Sequence, residues 1–171
     1  MKIIAEFCQN HNGSYSTLEK MVINAKKSGA THGKIQNIFA KNLTFRPQFE
    51  QGLKSGNKTL AIKRPYLQEY KRLKGLEINY KYIKKFLKLC NDEGITPMTT
   101  CFVHSDANDL KKIGFKSIKV ASYDCSSYPM LNTLKKNFKE IIVSTGAMFD
   151  DEITQAYQIL KKSNFSFLHC I

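Results

Sequence analysis

Residues 80–102, YKYIKKFLKLCNDEGITPMTTCF, decide the fold. Tyr80, Ile83, Leu87 and Cys90 recur at helical spacing as one apolar stripe, Gly94 closes that helix, and residues 96–102 read as a strand. A helix feeding directly into a strand is half of a strand–helix–strand unit, and the same unit recurs on both sides.

Toward the N-terminus, residues 2–8 read as a buried strand. Leu18, Met21, Val22 and Ala25 mark a helix behind Ser16 and Thr17 as candidate caps, and Gly29 stops it. Residues 33–39, GKIQNIF, read as a second strand carrying Lys34 and Gln36 on one face. Periodicity is then lost between Ala40 and Ile78, apart from a short helix at about residues 66–73. That segment holds nine Lys/Arg and three Glu, a net +6, and a connection so long is expected to be a functional lid.

Toward the C-terminus, Ser105 caps a short helix running to Ile113, and residues 117–121 form a fourth strand. Leu131, Leu134 and Phe138 mark a helix after Pro129, and residues 140–144, EIIVS, form a fifth strand. Asp150 and Asp151 suit a helix N-terminus, Ile153, Ala156, Tyr157 and Leu160 give its buried face, and residues 166–170 form a sixth strand.

Strict alternation predicts an α/β protein with a parallel sheet and helices packed back onto it. An open doubly wound sheet and a (β/α)8 barrel compete. No GxGxxG turn supports a Rossmann site, whereas nearly every strand end carries a polar residue: Glu6, Lys34 with Gln36, Thr100, Lys119 with Ser122, Ser144 and His169. Convergence onto one face is the barrel pattern. Six strands make the barrel incomplete, with two units missing, and predict a chain that is inactive alone and poorly soluble, oligomeric or incompletely folded.

At 171 residues, 42% hydrophobic and 24% charged, the chain has the composition of one folded domain spanning residues 1–171, not a disordered tail. The net charge of +13 attracts anions without choosing among nucleic acid, membrane surface and phosphorylated small molecules. Against nucleic acid, the basic residues are dispersed, despite Tyr66, Tyr70, Tyr80 and Tyr82 among them, and no RNP, KH or zinc pattern occurs. No signal-like segment or membrane span is present, so no membrane partner and a cytoplasmic location are expected. The five cysteines, Cys8, Cys90, Cys101, Cys125 and Cys170, lack metal-like spacing and read as reduced, mostly buried thiols.

The polar cluster at residues 6–13, where Glu6 precedes Gln9, Asn10, His11 and Asn12 and ends in Gly13, is a chemical arrangement more than a loop requirement. Taken one by one, Glu6 could only accept hydrogen bonds, and Ser122, Ser144 and Thr100 could be turn or cap residues. The set argues for a site. Lysines inside β runs, Lys34 and Lys119, want an anion or a partner acid. The helix lysines, such as Lys26, Lys84 and Lys161, read as a solvated face, and His11 with His169 is not expected to be a metal pair.

In order, AEFCQNHNG, GKIQ, TTCF, IKVASYD, SSYP, STGA and LHC resemble the AEIGxNHNG, VKFQ, STPF, YKIGSGE, NNYP, STGM and LHC motifs of the N-acetylneuraminate synthase family. The likeness covers essentially the whole chain and includes the legionaminic and pseudaminic acid synthases. It implies a (β/α)8 barrel that condenses phosphoenolpyruvate with an N-acylated amino-sugar aldehyde, uses a divalent metal (Mn2+ or Mg2+), releases phosphate and works as a homodimer. By the same resemblance Glu6 handles protons or positive charge near the reacting centre. Lys34, Thr100, Lys119, Ser122 and Ser144 bind phosphoenolpyruvate, and Gln36 and Asp124 hold the acceptor sugar. Asp124 stands where the family has Glu, and Tyr123, Cys101 and Ala147 where it has Gly, Pro and Met. The family's metal-ligand histidines lie on the seventh and eighth strands, beyond Ile171, so no metal ligand is expected in this chain, and its C-terminal antifreeze-like domain is expected to be absent. A Schiff-base aldolase built on Lys119, with Glu6 as acid, is the alternative enzyme, and a basic remnant that binds anions or nucleic acid is the alternative without activity.

Overall fold

The computed structural model describes residues 1–170. In chain order the elements are β1 (Ile4–Cys8), α1 (Tyr15–Lys27), β2 (His32–Gln36), α2 (Pro47–Gln51), β3 (Leu53–Ser55), β4 (Lys58–Ala61), α3 (Tyr66–Leu76), α4 (Tyr80–Asp92), β5 (Thr96–Cys101), α5 (Ala107–Ile113), β6 (Ser117–Val120), α6 (Tyr128–Asn137), β7 (Glu140–Ser144), α7 (Asp150–Leu160) and β8 (Phe165–Leu168). They fall into two compact units, Met1–Asn37 with the residues from Ile78 onward, and Ile38–Glu77.

The larger unit is a six-stranded sheet in the order β1-β2-β5-β6-β7-β8, every pair parallel. The order never reverses. A doubly wound sheet needs a reversal to place helices on both faces, so this sheet is wound in one direction, as in a barrel, and β1 and β8 are its two edges. Alternation divides each strand between two faces. Ile35, Ile118, Val120, Ile141 and Val143 join the apolar core with Leu18 and Val22 of α1, Ile83, Phe86 and Leu87 of α4, Leu131 and Leu134 of α6 and Leu160 of α7. Lys34, Met98, Thr100, Lys119, Ile142 and Ser144 occupy the alternate positions, on the inner face.

Phe86 is fully buried and meets Phe7 edge-on, ring centroids 6.4 Å apart; burying a ring of this size contributes about 2–3 kcal/mol. Gly33 makes that contact possible, because a Cβ there would lie 2.8 Å from Phe7 Cε2.

Several expectations shift in detail. β1 is an edge strand, so only Phe7 of it is buried. Helix α1 is capped by Ser14, whose Oγ accepts the Thr17 N–H at 3.3 Å, rather than by Ser16 or Thr17. Tyr80 is exposed because Asn79 caps α4 immediately before it, and Phe86 takes its place in the apolar stripe. The helix expected from Ser105 begins at Ala107, after a 3-10 turn over His104–Asp106. Strand β2 stops at Gln36, β6 at Val120, and β8 runs Phe165–Leu168, where the Leu168 carbonyl accepts the Thr145 N–H as the last bond of the ladder with β7.

In the smaller unit the expected helix is present as α3. The rest is not structureless: α2 is followed by a hairpin of β3 and β4, antiparallel, with Leu53 opposite Ala61. Its ends are tied by carboxylates, Glu50 accepting the Tyr66 N–H at 2.7 Å and Glu77 accepting the Ala40 N–H at 2.6 Å. Among the described residues no helix is long and apolar enough to cross a membrane.

Candidate active site

Every candidate residue lies in the larger unit, at the C-terminal ends of the strands or on the turns that follow them. Glu6 and Lys34 are register partners on β1 and β2, and their side chains form an ion pair. The Lys34 ammonium, almost fully buried, also donates to Thr100 Oγ1 at 3.1 Å across to β5. Glu6 Oε1 accepts the Cys8 N–H at 3.0 Å, so its carboxylate is held by main chain on one side and by charge on the other. Three adjacent strands therefore share one polar chain.

Thr100 is in turn the register partner of Lys119 on β6. Burial, and next the positive charge of Lys34, push the Lys119 ammonium below the usual lysine range, while Cys170, Glu6 and Cys8 oppose the shift. Two lysines on one face, with the one carboxylate paired to Lys34 on the side away from Lys119, make a positively charged interior. That arrangement is costly without an anion and well suited to one.

The second part of the site is built on turns. Ser122 opens the 3-10 turn Ser122–Asp124 after β6, and its Oγ accepts the Gly146 N–H at 3.1 Å. Ser144, at the end of β7, is 1% exposed, and its hydroxyl makes no hydrogen bond, so a buried donor stands ready at the strand end. A Cβ at Gly146 would come within 3.0 Å of Cys170 Cβ and 3.1 Å of Ser122 Oγ; glycine keeps this corner open.

Of the two expected acceptor residues, Gln36 is the register partner of Thr100, whereas Asp124 lies on the turn after β6. Gln36 points its amide at Cys8 Sγ, 3.6 Å away. Asp124 is half-buried on the 3-10 turn, and burial pushes its carboxyl above the usual range. His11 is fully buried; its Nδ1 accepts the Gly13 N–H at 3.0 Å and its Nε2 is unpartnered, while His169 is exposed. Among the described residues no group of three His, Cys, Asp or Glu side chains is placed to hold a cation.

Two features were not read from the sequence. Cys170 lies beside Lys119, Ser122 and Ser144, and its neighbourhood was hidden because its partners come from three other segments. At the opposite, N-terminal ends of the strands, Glu140 accepts from Ser117 Oγ at 2.6 Å, pairs with Lys2, and lies 3.3 Å from His32 Nε2. The only sequence signal for that cluster is a carboxylate, a serine and a histidine at strand starts.

A one-way parallel sheet with cations and hydroxyls gathered at the C-terminal ends of its strands is the arrangement of a barrel-type domain. The NeuB family model matches residues 21–171, and the chain belongs to the NeuB family. It is 30% identical to the N,N'-diacetyllegionaminic acid synthase of Campylobacter jejuni, over 98% of this chain and 50% of that protein. It is 27% identical to the N-acetylneuraminate-9-phosphate synthase of Homo sapiens, over 98% of this chain and 46% of that one. The N-acetylneuraminic acid synthetase of Leptospira borgpetersenii, solved in complex with citrate, superposes with a TM-score of 0.79 at 26% identity, over 99% of this chain and 53% of that one. The chain thus spans about half the length of the relatives it matches.

Proposed function

We propose that this chain forms the phosphoenolpyruvate-binding part of a sialic-acid-type synthase, which joins phosphoenolpyruvate to an N-acylated amino-sugar aldehyde and releases phosphate. The observation that carries the reading is the continuous row Glu6–Lys34–Thr100–Lys119, with the unpartnered Ser144 hydroxyl among the strand ends. Lys34 and Lys119 supply fixed charge for the substrate's carboxylate and phosphate, and Thr100, Ser122 and Ser144 supply hydroxyl donors.

In the reaction, C3 of the enol forms the new bond to the aldehyde carbon, and C2 becomes cationic. Glu6, held by Lys34 and the Cys8 N–H, is the carboxylate that stabilises this charge or takes a proton from the water adding to C2. The hydrated C2 then collapses to the ketone as phosphate leaves. We assign acceptor contacts to Gln36 and Asp124, and the divalent metal of such an enzyme to residues other than those described.

One observation favours a second reading. A lysine whose ammonium is pushed down by burial and a neighbouring cation is better able to act as a neutral amine, which an imine-forming aldolase requires of Lys119. Incubation of the whole enzyme that contains this chain with phosphoenolpyruvate and N-acetylmannosamine or a diacetamido hexose should release phosphate and yield a nonulosonic acid, read by mass. Borohydride trapping of a pyruvate adduct on Lys119, with no phosphate released from any of these acceptors, would replace the first reading with the second.

A further inference from the structure

Two aromatic rings stand out in solvent at the end of the sheet that carries the candidate site. Tyr123 and Phe149 are each 76% exposed. Tyr123 lies between Ser122 and Asp124 on the 3-10 turn after β6, and Phe149 ends the loop after β7, immediately before α7. The two loops are joined where Ser122 Oγ accepts the Gly146 N–H at 3.1 Å. Both β6 and β7 are paired on each side, so neither loop belongs to an open edge of the sheet.

The core claims neither ring, although it takes a close neighbour of each, Cys125 and Met148. Phe149 occupies the N-cap of α7, where Ser, Thr, Asp or Asn would accept a free helix N–H and a phenyl ring cannot. Glu152 holds that end instead, its Oε2 accepting the Phe149 N–H at 3.0 Å. A single exposed aromatic is ordinary, but two on joined loops at the strand ends concentrate apolar surface beside polar groups, the usual make-up of a small-molecule site. Main chain fixes both supports: the Asp124 N–H donates to Ala121 at 3.0 Å and the Met148 N–H to Thr145 at 3.3 Å. Rings presented from fixed loops bind with little ordering cost.

We propose that Tyr123 and Phe149 are specificity-determining residues, an aromatic rim that takes the N-acyl methyl and the apolar C–H face of the acceptor sugar. The inference rests on the proposed function, which assigns phosphoenolpyruvate to Ser122 and the acceptor to Asp124, the two residues flanking Tyr123. Phosphoenolpyruvate gains nothing from a ring face, whose negative charge repels its two anionic groups. The acceptor differs. Its hydroxyls suit Gln36 and Asp124, while its acyl methyl offers no hydrogen bond and is read by shape and apolar contact.

The test uses the whole enzyme that contains this chain, as wild type, Tyr123→Ser, Phe149→Ser and the double variant, with N-acetylmannosamine and a diacetamido hexose as probes. Saturation-transfer NMR should mark the acetyl methyl most strongly, and the double variant should lose that mark. In turnover, each single variant should raise the acceptor KM about three- to tenfold while kcat and the phosphoenolpyruvate KM stay unchanged. The double variant should also lose the wild type's preference for an N-acetyl over an N-formyl sugar. Phe149→Ser supplies a cap, so urea melts should show it at least as stable as the wild type, which separates lost binding from lost folding. Phosphate release with acceptor KM and acetyl preference unchanged in the double variant overturns the rim and leaves the proposed function standing. The same result with a smaller particle on gel filtration also overturns it, the rings then being covered by protein. Methyl saturation that the double variant loses, with no phosphate released by the wild type, upholds the rim and overturns the synthase reading. Neither saturation nor turnover overturns both.

Discussion

The two ends of the sheet's inner face use the same kinds of residue to opposite ends. At the N-terminal ends of the strands, Glu140 meets Lys2, His32 and Ser117, and Thr31 Oγ1 lies 2.8 Å from His32 Nδ1, so each group has a partner. At the C-terminal ends, two lysines share one carboxylate that pairs only with Lys34, Ser144 is unpartnered, and the Lys119 ammonium is disfavoured by burial. The first arrangement is satisfied by the fold alone. The second leaves a hydroxyl without a partner and an ammonium desolvated, and on the proposed reading an anion completes it; that difference separates a structural cluster from a candidate site more reliably than residue type does.

Substitution should break the two ends differently. Lys119→Met is expected to lower kcat/KM of the whole enzyme by about 10²–10³, read as phosphate release, while urea melts show stability unchanged or raised, since a desolvated charge has been removed. Lys119's lowered value places its cost at neutral pH, relieved as pH rises through that value, and substrate binding should weaken over the same range. A large loss of stability in Lys119→Met would mean the C-terminal end is structural after all.

Glu140→Ala is expected to cost about 2–3 kcal/mol in urea melts while changing kcat/KM of the folded enzyme less than about threefold. Burial alone would raise the Glu140 carboxyl, but hydrogen bonds from Lys2 and Ser117 outweigh it and hold it below the usual range. A depressed acid contributes stability above its unfolded pKa and loses it as pH falls through the folded value. The wild type should therefore lose stability below about pH 4, and Glu140→Gln should flatten that limb.

Between the two ends, Gly33→Val sharpens the comparison by testing packing alone. The added side chain meets the Phe7 ring, so about 1–3 kcal/mol should be lost and largely recovered in Gly33→Val with Phe7→Ile. The motifs that this chain resembles carry Ile and Val where it has Phe7 and Gly33, a paired exchange of volume. Cys8→Gly gives the smallest effect. Cys8 has φ of +49°, so glycine should stabilise the chain by about 1 kcal/mol in the same melts.

The rows of the site were legible because strand alternation is a local property. Once residues 33–39 and 117–121 read as strands, Lys34, Gln36 and Lys119 had to share the face opposite Ile35 and Ile118. The hairpin of β3 and β4 was not legible, since its strands are three and four residues long and almost entirely exposed, leaving no apolar alternation to read. The Glu140 cluster and the surroundings of Cys170 were hidden for another reason. Each joins segments far apart in the chain, and nothing in a residue's own neighbourhood marks its distant partners.

The Ser122–Asp124 turn closes on itself, with Asp124 N–H donating to Ala121 and Cys125 N–H to Ser122. None of those bonds belongs to the strand ladders, so new side chains at Tyr123 and Asp124 can be exchanged without disturbing the register that aligns Thr100 with Lys119. The fold thus separates a replaceable cassette from a fixed frame. On the proposed reading of Asp124, a library randomised over those two positions would sample new sugar preferences while the strand register is kept.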